Sequence, residues 1–115
     1  YDPVENIFYV NLEGYSVTER DQVEEIRSLV ERILTPVGKR VHTIVNYDNF
    51  SILPDIVDEY TGMVEYVVDR FYSGVTRYTT SAFLRMKLGD ALQERGVAPH
   101  IYESQEEAHE ALRKD

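Results

Sequence analysis

A run of β-branched residues, followed at once by polar residues, constrains the fold of this chain more than any other feature. The run covers residues 40–46, where Val41, Thr43, Ile44 and Val45 supply β-branched side chains. Such a run is typical of a strand buried on both faces of a parallel sheet. The polar residues after it precede a new helix, and open α/β sheets usually hold ligands or partners at this kind of junction. The sequence therefore predicts an α/β fold with a candidate binding edge after this strand.

The rest of the chain repeats the order strand then helix, four times in all. Further strands are predicted at residues 7–12, 75–79 and 99–102, and an amphipathic segment with apolar residues three or four positions apart follows each strand. This alternation predicts a mostly parallel four-stranded sheet with about four helices and right-handed crossovers. We expect one α/β domain over residues 1–115, and because its start resembles a turn leading into a strand, we expect it to be excised from a longer chain.

Local signals predict where the helices begin and end. Thr18 with Asp21 resembles a capping box at the start of the first helix, and Ser73 with Gly74 is expected to end the second. Thr80 or Ser81 is expected to begin the third helix. The predicted core face of that third helix consists of Phe83, Leu84, Met86, Leu88, Ala91 and Leu92.

The charge and composition of the chain disfavour several classes of partner. With 21 acidic and 12 basic residues, the formal net charge of −9 repels phosphate backbones and anionic lipid, so we expect neither nucleic acid nor a membrane as partner. The absence of cysteine excludes disulfides and thiolate metal sites and suits a reducing cytoplasm, where we expect the protein to reside. No apolar run approaches the roughly 20 residues of a membrane helix.

Two polar clusters follow the second and third predicted strands. The candidate binding residues in them are Asn46, Asp48, Asn49, Arg77, Thr79, Thr80 and Ser81. In a parallel sheet both clusters emerge at one edge, where Arg77 is expected to pair with Asp48, or the helix amides behind Ser81 to hold an anion. The alternative is local: Asn and Asp build turns, and Thr and Ser cap helices, without any ligand.

Residues suited to catalysis or metal binding are sparse. His42, His100 and His109 lie in three different elements without the spacing of metal ligands, so no metal site is predicted. No nucleophile beside a general base is apparent, so no catalytic residue is predicted.

The end of the chain carries a first resemblance to a known family. Residues 101–112 read Ile-Tyr-Glu-Ser-Gln-Glu-Glu-Ala-His-Glu-Ala-Leu. With the strand–helix succession, this stretch resembles the STAS fold of anti-sigma-factor antagonists, which often close with such an aromatic-acidic-Ser-x-Glu-Glu-Ala run. STAS proteins carry a phosphorylated Ser or Thr in an Asp-Ser-Ser-Gly-type loop after the central strand. The matching loop here, residues 48–51, lacks the Ser-Gly pair and leaves Ser51 as the possible phosphosite. The resemblance implies a protein-interaction module switched by phosphorylation.

Three other stretches carry a second and more specific resemblance. They are Asn-Leu-Glu-Gly at 11–14, Val-Asn-Tyr-Asp-Asn-Phe at 45–50 and Arg-Tyr-Thr-Thr-Ser-Ala-Phe-Leu-Arg-Met-Lys-Leu at 77–88. They are similar to the C-terminal extension of bacterial acyl-CoA:acetate/3-ketoacid CoA transferases of the propionate CoA-transferase type. That family moves CoA between carboxylic acids through a covalent glutamyl intermediate in its catalytic domains. The surroundings of that glutamate have no match here, and Glu13 is a superficial lookalike at the end of a strand.

The second resemblance implies a non-catalytic accessory domain, excised from the C-terminus of a longer chain, that serves assembly or regulation. Its expected partners are the catalytic domains of the parent chain, with a homo-oligomer also left open. It implies no cofactor in this domain, whereas the parent enzyme uses a CoA thioester.

Overall fold

Strands and helices alternate along residues 1–113, which are the residues that the computed structural model describes. The strands are β1 (Ile7–Asn11), β2 (Ser16–Val17), β3 (Val41–Asn46), β4 (Ser51–Ile52), β5 (Tyr72–Tyr78) and β6 (Ile101–Tyr102). The helices are α1 (Arg20–Leu34), α2 (Val57–Phe71), α3 (Ala82–Glu94) and α4 (Gln105–Arg113). A 3-10 turn at Pro54–Ile56 leads into α2, as expected for a proline, which has no amide to leave unpaired at a helix start.

The main sheet has four strands in the order β1-β3-β5-β6, and every neighbouring pair is parallel. The predicted fold class is therefore confirmed. In the register across the centre of the sheet, Val10 lies beside Val45 and Val45 beside Arg77. A second sheet pairs β2 with β4 in parallel and was not predicted, because strands of two residues are too short to show a period.

Hydrophobic side chains cover both faces of the main sheet. One cluster joins the strands to α1, α2 and α3, and includes Val45 and Val64, which are buried as predicted. The other cluster joins Ile7, Ile44 and Tyr78 to α4 through Ala108. Since side chains alternate along a strand, the two clusters lie on opposite faces of the sheet.

Two predicted helix boundaries are wrong. The residue that precedes α1 is Glu19 and not Thr18, and its amide donates to Oε1 of Gln22 at 3.0 Å, because a glutamine can reach back one turn. The helix α2 ends at Phe71, and Ser73–Gly74 lies inside β5.

The end of α2 needs no glycine because a guanidinium satisfies its last carbonyls. Arg40 donates through Nη2 to the carbonyl of Asp69 at 2.6 Å and through Nη1 to that of Tyr72 at 3.0 Å. A cation at a helix C-terminus also interacts favourably with the helix dipole. The chain can therefore pass from helix directly into strand at Tyr72.

The helix α3 begins as predicted, but its core face is narrower. Ser81 Oγ accepts from the amide of Leu84 at 3.1 Å. Phe83 and Met86 are 66% and 55% exposed, so their assignment to the core is wrong. Leu84, Leu88 and Leu92, spaced four apart, already fill the face that packs on the domain, and the other two residues point away from it.

Candidate functional site

The two polar clusters meet at the edge of the sheet where β3 and β5 end. An oxygen of the Asp48 carboxylate, Oδ1, accepts from the amide of Thr80 at 2.7 Å, and the amide of Tyr47 donates to the carbonyl of Tyr78 at 2.9 Å. This juxtaposition follows from parallel strands, which deliver their carboxyl ends to one side. We call this region the carboxyl edge; it comprises residues 11–16, 46–51 and 78–81.

The loop after β1 is tied to the loop after β3. Asn46 Nδ2 donates to Glu13 Oε1 at 3.2 Å, and the amide of Gly14 donates to the carbonyl of Asp48 at 2.9 Å. Asn46 Oδ1 also accepts from the amide of Asp48 at 2.9 Å, which closes the turn. Asn49 completes it with φ of 55°, a left-handed conformation that asparagine tolerates better than most residues. The local role proposed for these residues as turn builders is thus observed.

Ser51 lies in a strand and not in a loop. Its hydroxyl donates to Ser16 Oγ at 2.9 Å, and its amide donates to the carbonyl of Tyr15 at 3.0 Å. The side chain is exposed at the carboxyl edge. Sequence reasoning missed Ser16, which is 35 residues away and becomes a neighbour only when β2 pairs with β4.

The predicted ion pair between Asp48 and Arg77 is wrong. Arg77 is only 1% exposed, and its Nη1 donates to the carbonyls of Ala98 at 3.3 Å and Pro99 at 2.6 Å. Strand alternation explains the error, because Arg77 is the register neighbour of Val45 and projects with it into the core. The guanidinium therefore anchors the segment before β6, while Asp48 remains at the edge.

Three backbone amides around the start of α3 have acceptors within the protein. Thr80 donates to Asp48, Ser81 donates to Thr79 Oγ1 at 3.2 Å, and Leu84 donates to Ser81. Thr79 itself is buried, with its amide donating to the carbonyl of Tyr102 at 3.0 Å. The bond from Leu84 occupies one of the helix amides behind Ser81 that the predicted anion site would use. Together the three bonds favour the local capping role of this cluster.

The side chain of Tyr47 is buried in the core, although its backbone belongs to the carboxyl edge. Its hydroxyl lies 2.5 Å from that of Tyr60, and its ring meets Phe50 edge-on with centroids 4.9 Å apart. Burial raises the pKa of Tyr60 well above its usual value, and the neighbouring Tyr47 adds to the shift. Sequence reasoning grouped Tyr47 with the polar cluster because it stands between Asn46 and Asp48.

The described residues 1–113 contain no group of three His, Cys, Asp or Glu side chains that could hold a metal ion. Two of the histidines have other neighbours: His42 Nδ1 lies 3.3 Å from Ser73 Oγ, and His109 Nε2 lies 3.9 Å from Glu5. No helix in this part of the chain is both long and apolar enough to cross a membrane.

A comparison with protein families, curated proteins and solved structures finds no match to this chain. The geometry of the carboxyl edge and the resemblances in the sequence are therefore the indications of function.

Proposed function

We propose that this chain is a non-catalytic accessory domain of a CoA transferase of the acyl-CoA:acetate/3-ketoacid type, and that its carboxyl edge binds the catalytic domains of its parent. The observation that carries the proposal is the convergence of the three CoA-transferase-like stretches at this edge. Residues 11–14 contact 45–50 through the bond from Gly14 to Asp48, and 45–50 contact 77–88 through the bond from Thr80 to Asp48.

The hydrogen bonding of this edge suits binding better than catalysis. Glu13, the one glutamate in these stretches, accepts from Asn46, and Asp48 bonds the Thr80 amide. An acyl-transfer site needs a nucleophile with a base or oxyanion donors beside it. Polar groups already held by one another instead form a preorganised surface, which lowers the entropy cost of binding a partner. In this proposal CoA thioesters are bound by the parent's catalytic domains.

Two measurements test the two halves of the proposal. We expect the purified chain to transfer no CoA between acetate and acyl-CoA thioesters. Turnover that disappears in Glu13→Ala would overturn the non-catalytic assignment.

Binding is tested by titration calorimetry against separately produced catalytic domains of a propionate-type CoA transferase. We expect Glu13→Lys to weaken binding and Glu106→Lys, a matched change of an exposed glutamate on α4, to leave it unchanged. Absence of binding, or equal weakening by both variants, would overturn the interface.

A second candidate function is a STAS-like interaction module switched at Ser51. It is favoured by the exposure of Ser51 and by its bond to Ser16 across the β2–β4 pair. A phosphate adds a charge of about −1.5 to −2 at neutral pH and removes the hydroxyl hydrogen that makes this bond. With phosphoserine incorporated at position 51, we expect faster hydrogen exchange at the amide of Leu53, which donates to the carbonyl of Val17 at 3.0 Å. Unchanged exchange, with Ser51→Ala as the uncharged control, would rule out the switch.

A further inference from the structure

A small cavity lies in the core between the main sheet and the helices α1 and α2. Its volume is about 30 Å³. Aliphatic side chains from β1, β3, α1 and α2 form most of its wall, and the polar residues that line it are Tyr47, Tyr60, Tyr72 and Arg77. None of the described residues that line the cavity carries a carboxylate.

Arg77 lines this cavity and carries a buried positive charge. The side chain is 1% exposed, and no ion pair of the described residues 1–113 involves it. A guanidinium keeps its charge inside proteins and has five N–H donors. Among the described residues, its partners are the carbonyls of Ala98 and Pro99, and both bonds use Nη1. The dipoles of two carbonyls offset only part of the cost of burying a full charge.

The tyrosine hydroxyls supply a further donor. Tyr47 and Tyr60 share one hydrogen bond of 2.5 Å, so one of their two hydroxyl hydrogens lies between the oxygens and the other is available. Tyr47, Tyr60 and Arg77 line the same cavity. The polar groups of the cavity therefore combine a cation, a spare O–H donor and no carboxylate.

We propose that this cavity binds one monatomic anion of halide size, held by Arg77 and by a hydroxyl of the Tyr47–Tyr60 pair. The volume sets the class of ligand. One water needs about 10–15 Å³ of such space, so a cavity of 30 Å³ accepts a halide but is too small for sulfate, phosphate or a carboxylic acid. The proposal does not depend on the function proposed above.

The first test measures the unfolding of the full chain by urea as chloride or bromide replaces gluconate at constant ionic strength. A ligand that binds only the folded state raises the folding equilibrium constant by about tenfold for each tenfold rise in its concentration above the Kd. We expect this response in the wild type. An equal midpoint in chloride, bromide and gluconate would overturn the proposal.

Two variants separate the cavity from general effects of salt. Val67→Ile adds one methylene to the wall of the cavity and leaves Arg77 in place, so we expect it to abolish the halide response. Val23→Ile is the matched control, since it adds the same group to a buried valine that lines the outer groove between α1 and α2, and it should keep the response. Arg77→Met should also abolish the response. If that variant does not fold, the pair of valine variants still decides, because a response retained in Val67→Ile or lost in both would overturn the proposal.

A crystal structure in bromide locates the ion directly. We expect anomalous scattering in the cavity, within hydrogen-bond distance of the Arg77 guanidinium. An ordered water there, or an empty cavity at saturating bromide, would overturn the proposal.

Discussion

Replacing Val64 by aspartate tests the packing of α2 on the sheet. Val64 is only 6% exposed and belongs to the cluster that joins α2 to the main sheet. The substitution loses about 1.5–3 kcal/mol of apolar burial. It also buries a carboxyl group, which costs roughly 2–7 kcal/mol without a partner, and Arg77, which lines the same cavity as Val64, offsets only part of that cost. These losses are comparable with the whole stability of a typical domain, about 5–15 kcal/mol. We expect Val64→Asp to lower the urea midpoint steeply or to unfold the chain at neutral pH.

The pH dependence of this variant identifies the cause of the loss. In the folded state burial disfavours the charged form of the new carboxyl, whereas Arg77, which lines the same cavity, favours it. Since the cost of burying the carboxylate exceeds what an ion pair returns, we expect the carboxyl to bind its proton more tightly than in the unfolded chain. The unfolded state then holds fewer protons, and the destabilisation grows as the pH rises from about 4 towards 7. Val64→Asn has a similar size and does not titrate, so it serves as the matched control.

Urea unfolding of both variants and the wild type at pH values near 4.5 and 7 measures this difference. We expect the two variants to differ most at neutral pH and to converge at the lower pH. A midpoint for Val64→Asp close to that of the wild type would show that this face of α2 is not buried. Equal stability of the two variants at both pH values would refute the argument about charge burial.

Three further predictions follow from individual contacts. The Asp48 carboxylate accepts from the Thr80 amide at 2.7 Å, so Asp48→Ala should cost about 1 kcal/mol in urea unfolding and speed hydrogen exchange at that amide. Asp48→Asn keeps an acceptor and should cost less. Burial raises the pKa of Tyr60 in the folded state. The stability that the Tyr60 hydroxyl contributes is therefore complete below its pKa in the unfolded chain, about 10, and is lost as the pH rises through its pKa in the folded state. Tyr60→Phe should therefore weaken the alkaline loss of stability measured by circular dichroism, and an unchanged pH profile would contradict this. A Cβ at Gly62 would meet Arg95 Cζ at 3.3 Å. Gly62→Ala should therefore stabilise the chain by up to about 1 kcal/mol, through helix propensity, in an Arg95→Ala background and by less in the wild type. Equal gains in the two backgrounds, measured by urea unfolding, would contradict this.

The candidate site illustrates how far sequence reasoning extends. The order of strands and helices predicted that residues after β3 and β5 would share an edge, and Asp48 does reach Thr80. The predicted partner of Asp48, Arg77, was wrong, because the prediction did not consider which face of β5 carries Arg77. That face depends on the register with β3, where Arg77 lies beside the buried Val45.

The alternation of strand and helix was determined by the sequence alone. It is encoded in local periods, two for strands and 3.6 for helices, and in capping residues such as Ser81, all of which act over a few neighbouring positions. Contacts between residues distant in the sequence were decided only by the tertiary structure. Examples are the pairing of Ser16 with Ser51, the capping of α2 by Arg40 and the cavity beside Arg77. Each of these depends on how the elements pack in three dimensions, and that packing leaves no periodic signal in the chain.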